Sequence, residues 1–475
     1  MWRGVKTALL LLLVVGLQLG PERRQPAALI REGDAHVARQ EYSFAAQKYR
    51  QAATLQPGSA VPLLRLGRTY LAQAWYDRAQ PVLLLVHRRQ GWTPHLHLLM
   101  GQLYLGMGLE AEAMAQWQAA LTGDPHLAEA RAQLGWAYLR NEAWVDAQSS
   151  FEVILARWDP DHRFGWQSAH YGLGLILARH EPQAALHHLQ IAAAGPDLEM
   201  AQRAIVLGAE LEQLSLASDA IHAAAALGQA YVRVEAWSLA RQVLAGVVDT
   251  SPDYAEARAY LGHALDYLGR SAEAEQHLWR AVQLAPTQTL PRYLLGLYYL
   301  RHGRAGEAVF QLRQALKLDP YEPVLYAQLG QAWLAQDNYT DAEMAFRAAA
   351  ELAPESADFQ LLLARFYIER LVRVRAGGLP AAQSAARMDP SNAQAHDVLG
   401  WAYYLVGYAE QAESALLRAV ALDPELASAR YHLGAVLQQA GQPAQAREQF
   451  WRAVDLDRTG FYRARAMRAL GLPIE

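Results

Sequence analysis

A unit of 34 residues that recurs along the chain constrains the fold more than any other feature. The clearest copy, residues 260–286, reads YLGHALDYLGRSAEAEQHLWRAVQLAP. Its apolar and small residues recur three or four positions apart in two short stretches, which predicts two amphipathic helices. Gly269 lies between the stretches, where a helix can end in the left-handed conformation, and Pro286 stops the second helix. Such a hairpin is apolar on more than one face, so it needs a similar hairpin on each side.

The repeat shows itself as small residues at fixed distances. Glycines 34 residues apart occur in two runs: Gly33, Gly67, Gly101 and Gly135, then Gly228, Gly262, Gly296 and Gly330. Gly400 and Gly434 form a further pair, and Gly172 lies between the two runs. Most of these glycines are followed twelve residues later by an alanine: Ala45, Ala79, Ala113, Ala147, Ala184, Ala240, Ala274, Ala308, Ala342, Ala412 and Ala446. A pattern of this depth predicts a repeat protein that grows by adding units rather than separate cores.

These spacings resemble those of the tetratricopeptide repeat (TPR) family. The resemblance covers about residues 26–460, as roughly twelve repeats. It implies an all-α fold, a right-handed superhelical solenoid of about twelve TPR helix hairpins, in which the first helix of each hairpin lines a concave groove. It also implies a scaffold that binds proteins or peptides. The motif is specific for the fold and says little about function.

The register of the repeat predicts the domain organisation. The predicted segments are a signal or anchor at 1–25, TPR repeats 1–5 at 26–198, an extra helix or spacer at 199–220, repeats 6–9 at 221–356, a degenerate tenth repeat at 357–392, repeats 11 and 12 at 393–460, and a C-terminal capping segment at 461–475. The extra helix follows because 56 residues separate Gly172 from Gly228, which exceeds one period by 22. The tenth repeat is degenerate because Gly377, Gly378 and Pro380 interrupt its second helix.

The first 25 residues are typical of a signal peptide or a membrane anchor. Arg3 and Lys6 precede an uncharged run, Thr7 to Pro21, that contains ALLLLLVVGLQL. Three interpretations stay open: an uncleaved anchor, a cleaved signal, and a buried N-terminal helix. The first two predict a bacterial protein whose repeats are membrane-anchored or exported, outside the cytoplasm.

Composition and motifs predict neither catalysis nor a bound cofactor. The net charge of −4 gives no general attraction to nucleic acid, and the absence of cysteine excludes disulfides and thiolate-bound metal. The histidine pairs His95/His97 and His187/His188 lack the i, i+4 spacing and the nearby carboxylates that a helical zinc site needs. No glycine-rich phosphate loop follows a predicted strand. We therefore expect no enzyme, no metal, no cofactor and no nucleic-acid partner.

The candidate binding site is the groove that the resemblance implies. The aromatic and arginine side chains at variable first-helix positions are the candidates: Trp136, Arg140, Trp166, Tyr267, Tyr293, Arg301, Trp401, Tyr404 and Tyr431. Trp136, Arg140 and Trp166 should form one cluster, and Trp401, Tyr404 and Tyr431 a second. The alternative for each aromatic residue is packing between repeats.

The kind of partner is suggested by what the groove lacks. The carboxylate clamp of one TPR subtype and the asparagine ladder of another are both missing from the matching positions. Recognition should then rest on apolar and aromatic contacts, as when an amphipathic helix or an apolar peptide lies in a groove. The chain is therefore interpreted as a protein-binding adaptor. The alternatives are a structural assembly factor of a cell-envelope polysaccharide or secretion complex, and a regulatory partner of a separately encoded enzyme.

Overall fold

The computed structural model describes residues 25–156, 163–214, 219–457 and 460–472, and every regular element in them is helical. The helices are α1 Pro26–Ala38, α2 Tyr42–Leu55, α3 Val61–Ala72, α4 Tyr76–Gln90, α5 Pro94–Gly106, α6 Glu110–Gly123, α7 Ala128–Arg140, α8 Trp144–Leu155, α9 Arg163–Leu177, α10 Pro182–Ala193, α11 Leu198–Leu214, α12 Ala220–Arg233 and α13 Trp237–Thr250. They continue as α14 Ala255–Tyr267, α15 Ser271–Leu284, α16 Thr289–Arg301, α17 Ala305–Leu318, α18 Pro323–Leu334, α19 Tyr339–Leu352, α20 Ala357–Glu369, α21 Leu379–Met388, α22 Ala393–Leu405, α23 Ala409–Leu422, α24 Ala427–Gln439, α25 Pro443–Leu456 and α26 Phe461–Ala469.

Consecutive helices pack as antiparallel hairpins, and within residues 25–123 and within residues 124–449 each hairpin contacts the helix that follows it. The paired helices are α1 with α2, α3 with α4, α5 with α6, α7 with α8, α9 with α10, α12 with α13, α14 with α15, α16 with α17, α18 with α19, α20 with α21, and α22 with α23. The predicted all-α solenoid of helix hairpins is therefore confirmed.

The N-terminal signal or anchor prediction falls on residues 1–24, which lie outside the described residues. Among the helices that the structure describes, none is long and apolar enough to cross a membrane.

The recurring glycine allows the two helices of a hairpin to approach closely. A Cβ added at Gly262 would lie 3.0 Å from the carbonyl oxygen of Ala274 and 2.8 Å from Cγ of Leu278. The same relation recurs, with a large side chain sixteen residues after the glycine: Gly33 and Tyr49, Gly67 and Leu83, Gly101 and Trp117, Gly135 and Phe151, Gly228 and Leu244, Gly296 and Leu312, Gly330 and Phe346, Gly400 and Leu416. Only a residue without a side chain fits at this point, which is why the glycine recurs with the period of the hairpin.

Ten hairpin turns contain a residue in the left-handed conformation seven positions after the repeating glycine. In five turns this residue is itself a glycine: Gly108, Gly269, Gly303, Gly407 and Gly441. Five other turns place a residue with a side chain there: Gln40, Ala74, Glu142, Glu235 and Asp337, with φ between 53° and 63°. The turn geometry is thus kept even where glycine is absent, because the packing of the two helices imposes it.

The fifth hairpin does not follow the register that the sequence suggests. The glycine that faces its own second helix is Gly174, whose added Cβ would lie 2.7 Å from Leu189. Gly172 instead lies against Phe151 of the preceding hairpin, at 2.3 Å from an added Cβ. Ala185 is fully buried, whereas Ala184 is only half-buried. Assigning Gly172 and Ala184 to the repeat positions was therefore wrong.

The described residues divide into two compact units, each with its own core. The first unit contains residues up to Gly123 together with Phe450 onward, and its core runs from Ala45 to Leu103. The second unit is Asp124–Gln449. Its core consists of a large cluster of buried residues between Leu139 and Ala345 and a smaller one between Ala342 and Ala402.

Helix α11 is an additional helix between the hairpins α9–α10 and α12–α13. It occupies Leu198–Leu214, where the sequence predicts an extra helix, and it packs against both α10 and α12. Its buried side chains recur at helical spacing: Ala201, Ala204, Leu207 and Leu211. Asp219 caps the next helix by accepting hydrogen bonds from the backbone N–H groups of Ile221 and His222, as expected of aspartate at an N-cap.

Limited proteolysis should identify the weakest described part of the array. Between α20 and α21, Leu371 and Arg373 have positive φ values of 54° and 45° and precede a single π-helical turn, Val374–Gly378. Leu371 and Arg375 are exposed, so a protease reaches a strained, irregular backbone there. We expect brief trypsin treatment to cut first after Arg373 or Arg375. The sequence also suggests cleavage within Glu199–Ala220, and first cuts within residues 221–356 would contradict the expectation.

Candidate functional site

The first helices of successive hairpins in the second unit lie next to one another. Direct contacts join α7 to α9, α12 to α14, α14 to α16, α16 to α18, α20 to α22, and α22 to α24. Successive second helices of the described chain have no contacts of comparable extent. The first helices are therefore the more closely spaced layer, as on the inner side of a curved stack of hairpins. We call the surface of this layer the first-helix face.

Tyr267, the last residue of α14, lies between two planar groups. Its ring stacks on the indole of Trp237 with centroids 4.0 Å apart and planes 6° from parallel. The guanidinium carbon of Arg301 lies 3.8 Å from the centroid of the Tyr267 ring. We call these three residues, which come from three consecutive hairpins, the Tyr267 stack. Tyr267 is nevertheless 50% exposed, so an edge of the stack is open to a partner.

A buried aspartate anchors the Tyr267 stack. The Asp266 side chain is only 2% exposed, and its Oδ2 lies 2.9 Å from Nη1 of Arg301. Its Oδ1 lies 2.7 Å from Nε2 of His302, whose ring in turn packs against Tyr298 with centroids 4.4 Å apart. A carboxylate removed from water is held by such partners. These contacts join α14 to the end of α16 and fix the position of the Arg301 guanidinium over Tyr267.

His263 lies beside the stack without adding charge to it. Its ring makes edge contacts with Trp237 and Tyr267, with centroids 5.8 Å and 5.2 Å away. Burial, and secondarily the positive charge of Arg301, lowers the pKa of His263 to about 4. The imidazole is therefore neutral at neutral pH, and Arg301 is the cation that this part of the surface presents.

The neighbouring positions of α16 are apolar. The groove positions of this helix hold Leu290, Tyr293, Leu297, Leu300 and Arg301. The first four are half-buried and pack against the main core. Burial raises the pKa of the Tyr293 hydroxyl, so this side chain is uncharged. The first-helix face of α14 and α16 is thus an aromatic and aliphatic surface with one arginine at its edge.

A second aromatic stack lies on α22 and α24. The Trp401 ring stacks on Tyr404 at 4.6 Å and on His432 at 4.2 Å, with planes within 17° of parallel. Tyr431 makes an edge contact with His432 at 5.7 Å. His432 Nδ1 and Asp397 Oδ1 are 2.7 Å apart in a buried pair. The structure therefore brings together the three residues of the second predicted cluster.

The residues of the first predicted cluster have separate partners. Trp136 donates a hydrogen bond from its indole to Ser168 Oγ at 2.6 Å and packs edge-on against Phe151 at 5.3 Å. Trp166 makes its ring contact with His170 instead, at 4.6 Å. Arg140 is exposed at the end of α7. Trp136 thus joins α7 to α9, through its hydrogen bond to Ser168 and a ring contact with Tyr171 at 5.9 Å.

Two histidines meet between α9 and α10. The Nδ1 atoms of His170 and His188 are 2.8 Å apart, and His187 lies beside them. Burial, followed by the charges of His188 and His187, lowers the pKa of His170 to about 4, and burial lowers that of His188 as well. One neutral ring can thus donate to the other. Across the described ranges, no group of three or more His, Asp or Glu side chains is placed to hold a metal ion.

The sequence did not lead to Trp237, a member of the Tyr267 stack, or to Asp266, which pairs with Arg301. Trp237 was not considered because it is the first residue of a second helix, and only first-helix positions were examined. Asp266 was overlooked because an acidic residue at a groove position suggests a solvated side chain. The position of Trp237 was the available signal. It directly follows a hairpin turn, and the first helix of the next hairpin ends in an aromatic residue, Tyr267.

The hairpins and their stacking define a helical-repeat scaffold of the α-solenoid class. The sequence profile of the tetratricopeptide repeat matches residues 327–370, and a second profile of the same repeat matches residues 292–322 and 393–426. Residues 292–322, 327–370 and 393–426 are therefore tetratricopeptide repeats. The matching profiles are all of this repeat, and none is of a catalytic family. No curated protein sequence matched the chain.

Solved structures of other repeat proteins are similar to this chain at low sequence identity. Yeast Tom70 is 16% identical, with a TM-score of 0.42, over 94% of this chain and 95% of its own. The anaphase-promoting-complex assembly Cut9–Hcn1 is 13% identical, with a TM-score of 0.45, over 95% and 97%. YrrB, described as a TPR protein with an unusual peptide-binding site, is 20% identical, with a TM-score of 0.33, over 41% and 98%.

Proposed function

We propose that the protein is a non-catalytic scaffold that binds an amphipathic helix or apolar peptide of a partner protein on the first-helix face around the Tyr267 stack. The observation that carries this proposal is a half-exposed tyrosine held on both faces by an indole and a guanidinium. Tyrosine, tryptophan and arginine are the side chains that most often dominate binding at protein interfaces.

The stack is also prepared for binding before any partner arrives. Ordering a side chain on binding costs about 0.5–1.5 kcal/mol. Tyr267 avoids most of that cost because Trp237 and Arg301 already hold its ring. The apolar side chains of α16 beside it favour a partner segment with an apolar stripe. A helix that presents apolar residues three and four positions apart meets that requirement.

The aromatic stack of Trp401, Tyr404 and His432 supports a second contact point for the same kind of partner. It combines stacked aromatic rings with a buried histidine–aspartate pair. A scaffold with two separated aromatic contact sites could engage one long partner or two partners, as an assembly factor of a cell-envelope polysaccharide or secretion complex would. The regulatory partner of a separately encoded enzyme is the remaining alternative, and it would use the same face.

We also propose that residues 1–25 attach the scaffold to a bacterial membrane or export it, with the repeats outside the cytoplasm. The support is the sequence alone: basic residues at Arg3 and Lys6 before an uncharged apolar run. Fractionation of cells that express the full chain or a variant lacking residues 2–25 tests this. The full chain should sediment with membranes or be exported, and cytoplasmic recovery of both forms would contradict it.

The binding proposal is tested by selecting ligands without knowing the natural partner. A phage library of random 16-residue peptides is passed over the immobilised full chain. Enriched peptides should have apolar residues spaced three and four apart and should become helical when bound. Enrichment of strongly charged peptides without that spacing, or of no sequence at all, would contradict the proposal.

A further inference from the structure

The C-terminal segment packs on the N-terminal hairpins through polar contacts. Asp455 Oδ1 accepts a hydrogen bond from the backbone N–H of Ser43 at 2.8 Å. Ser43 is the second residue of α2, and the side chain of the N-cap residue, Glu41, makes no capping bond to this helix. Asp455 therefore caps the N-terminus of α2 from 412 residues away by accepting this hydrogen bond.

Two arginines complete the contact. Arg452 donates to the backbone carbonyl of Arg39 at 2.7 Å and to Glu41 Oε1 at 2.6 Å. Glu41 is also paired with His36. The guanidinium of Arg463, on α26, lies 5.2 Å from the ring of Trp75.

Aromatic and apolar side chains also belong to this contact. Phe44 and Trp451 meet at 5.9 Å, and both side chains are half-buried. On the same segment Phe450, Ala453 and Val454 are at most 4% exposed.

Asp455 occupies an unusual position for a carboxylate. The residue is 1% exposed, and among the described residues its Oδ2 has no hydrogen-bond partner. A buried ionised oxygen without a partner is unfavourable, whereas a proton on Oδ2 removes the charge and leaves Oδ1 free to cap α2.

We propose that residues 450–457 and 460–472 form a pH-dependent latch on the first two hairpins, held closed by Asp455, and that opening it uncovers the N-terminal turn of α2. The groups that face Asp455 are the Ser43 backbone on α2, Arg452 on α25 and Arg463 on α26. Glu41 contacts Arg452 and is itself paired with His36. Asp457 and Arg78 face Arg463.

The direction in which pH changes latch closure follows from the pKa of the Asp455 carboxyl group. Burial raises the pKa of Asp455 from 3.8 to about 7, although Ser43, Arg452 and Arg463 act to lower it. The docked segment therefore keeps a proton that the free segment loses. The stabilisation from this proton is complete below pH 3.8 and is lost as the pH rises to about 7. The latch should be tight in mild acid and loose above neutral pH.

Because the chain has no cysteine, spin labels can be placed at chosen positions. Labels at Gln51→Cys and Arg468→Cys, both exposed, report the separation of α2 and α26 in the full chain. The native sequence should give one short distance at pH 5 and gain a longer, broader population at pH 8. The amide of Ser43 should exchange roughly a hundredfold faster at pH 8 than at pH 5, after correction for the intrinsic effect of pH, which corresponds to about two pKa units of linkage.

The matched variant is Asp455→Asn, which can still accept the bond from Ser43 but cannot titrate. It should remain closed at both pH values, and His36→Gln should keep the native response. Asp455→Ala, which removes the cap, should be open at both. The proposal is overturned if the native chain shows the same distance at pH 5 and 8, or if Asp455→Asn still opens with rising pH. Circular dichroism at both pH values distinguishes opening from unfolding.

Discussion

Replacing Gly262 with valine is expected to destabilise the protein by about 3 kcal/mol, at the upper end for overpacking a core. The added side chain meets the backbone carbonyl of Ala274 and the backbone nitrogen of Leu278, at 3.0 Å and 3.1 Å from its Cβ. Backbone atoms cannot move aside as the end of a flexible side chain can, so α14 and α15 must separate. The measurement is the free energy of unfolding in urea, with helix content monitored by circular dichroism.

The control for this experiment is another helical glycine without close neighbours. Gly246 lies within α13, is exposed, and has nothing within 4 Å of an added Cβ. Gly246→Ala should stabilise the protein by about 0.4–1 kcal/mol, since it restricts the unfolded chain without a clash. If both glycine variants had the same effect, close helix approach would not explain the repeating glycine.

Replacing Tyr267 with alanine is expected to weaken binding of a selected peptide by about 2 kcal/mol, roughly 30-fold. The change removes the half-exposed ring and leaves the faces of Trp237 and Arg301 without their partner. Tyr267→Phe keeps the stacked ring and should bind nearly as well as the native chain. Affinity is measured by fluorescence anisotropy with the labelled peptide.

Loss of stability must be separated from loss of binding in that comparison. Phe310 is 56% exposed, close to the 50% of Tyr267, but it projects from a second helix, α17. Phe310→Ala should leave the peptide affinity unchanged. A Tyr267→Ala variant that binds like the native chain would remove the main support for the proposed site.

Much of the fold follows from local sequence patterns because each hairpin repeats the same local requirements. The glycine at the helix crossing, the buried alanine and the left-handed turn residue all lie within one period. Where the period slips, as before Gly174, the pattern alone assigned the wrong glycine. The reason is that Gly172 also lies in a tight contact, with Phe151 of the previous hairpin.

Contacts between distant parts of the chain were not predictable in this way. Residues 461–475 were expected to be a capping segment, with no contact to the N-terminal hairpins predicted. Instead, Arg463 is half-buried and faces Trp75, and the adjoining Asp455 caps α2. A period of 34 residues carries no information on contacts across more than 400 positions.

The candidate site was predictable only in part. Tyr267 and Arg301 were both predicted groove residues, but not as neighbours of each other. Trp401, Tyr404 and Tyr431 were predicted as a group, and ring contacts link them through His432. They did not distinguish Trp136, whose indole hydrogen bond to Ser168 and contact with Phe151 make it part of the packing between hairpins. An aromatic residue beside the repeating glycine can serve either purpose, and its neighbours decide which.

Photo-crosslinking tests most directly whether partners bind on the first-helix face. Benzoylphenylalanine, which retains an aromatic ring, is introduced at Tyr267 in one variant and at Phe310 in another, two positions of similar exposure on different helix layers. Each full-length variant is irradiated with the selected peptide at a concentration that saturates binding. The proposed function predicts a covalent adduct at position 267 and little at position 310. An adduct mainly at position 310, or equal yields at both, would contradict it.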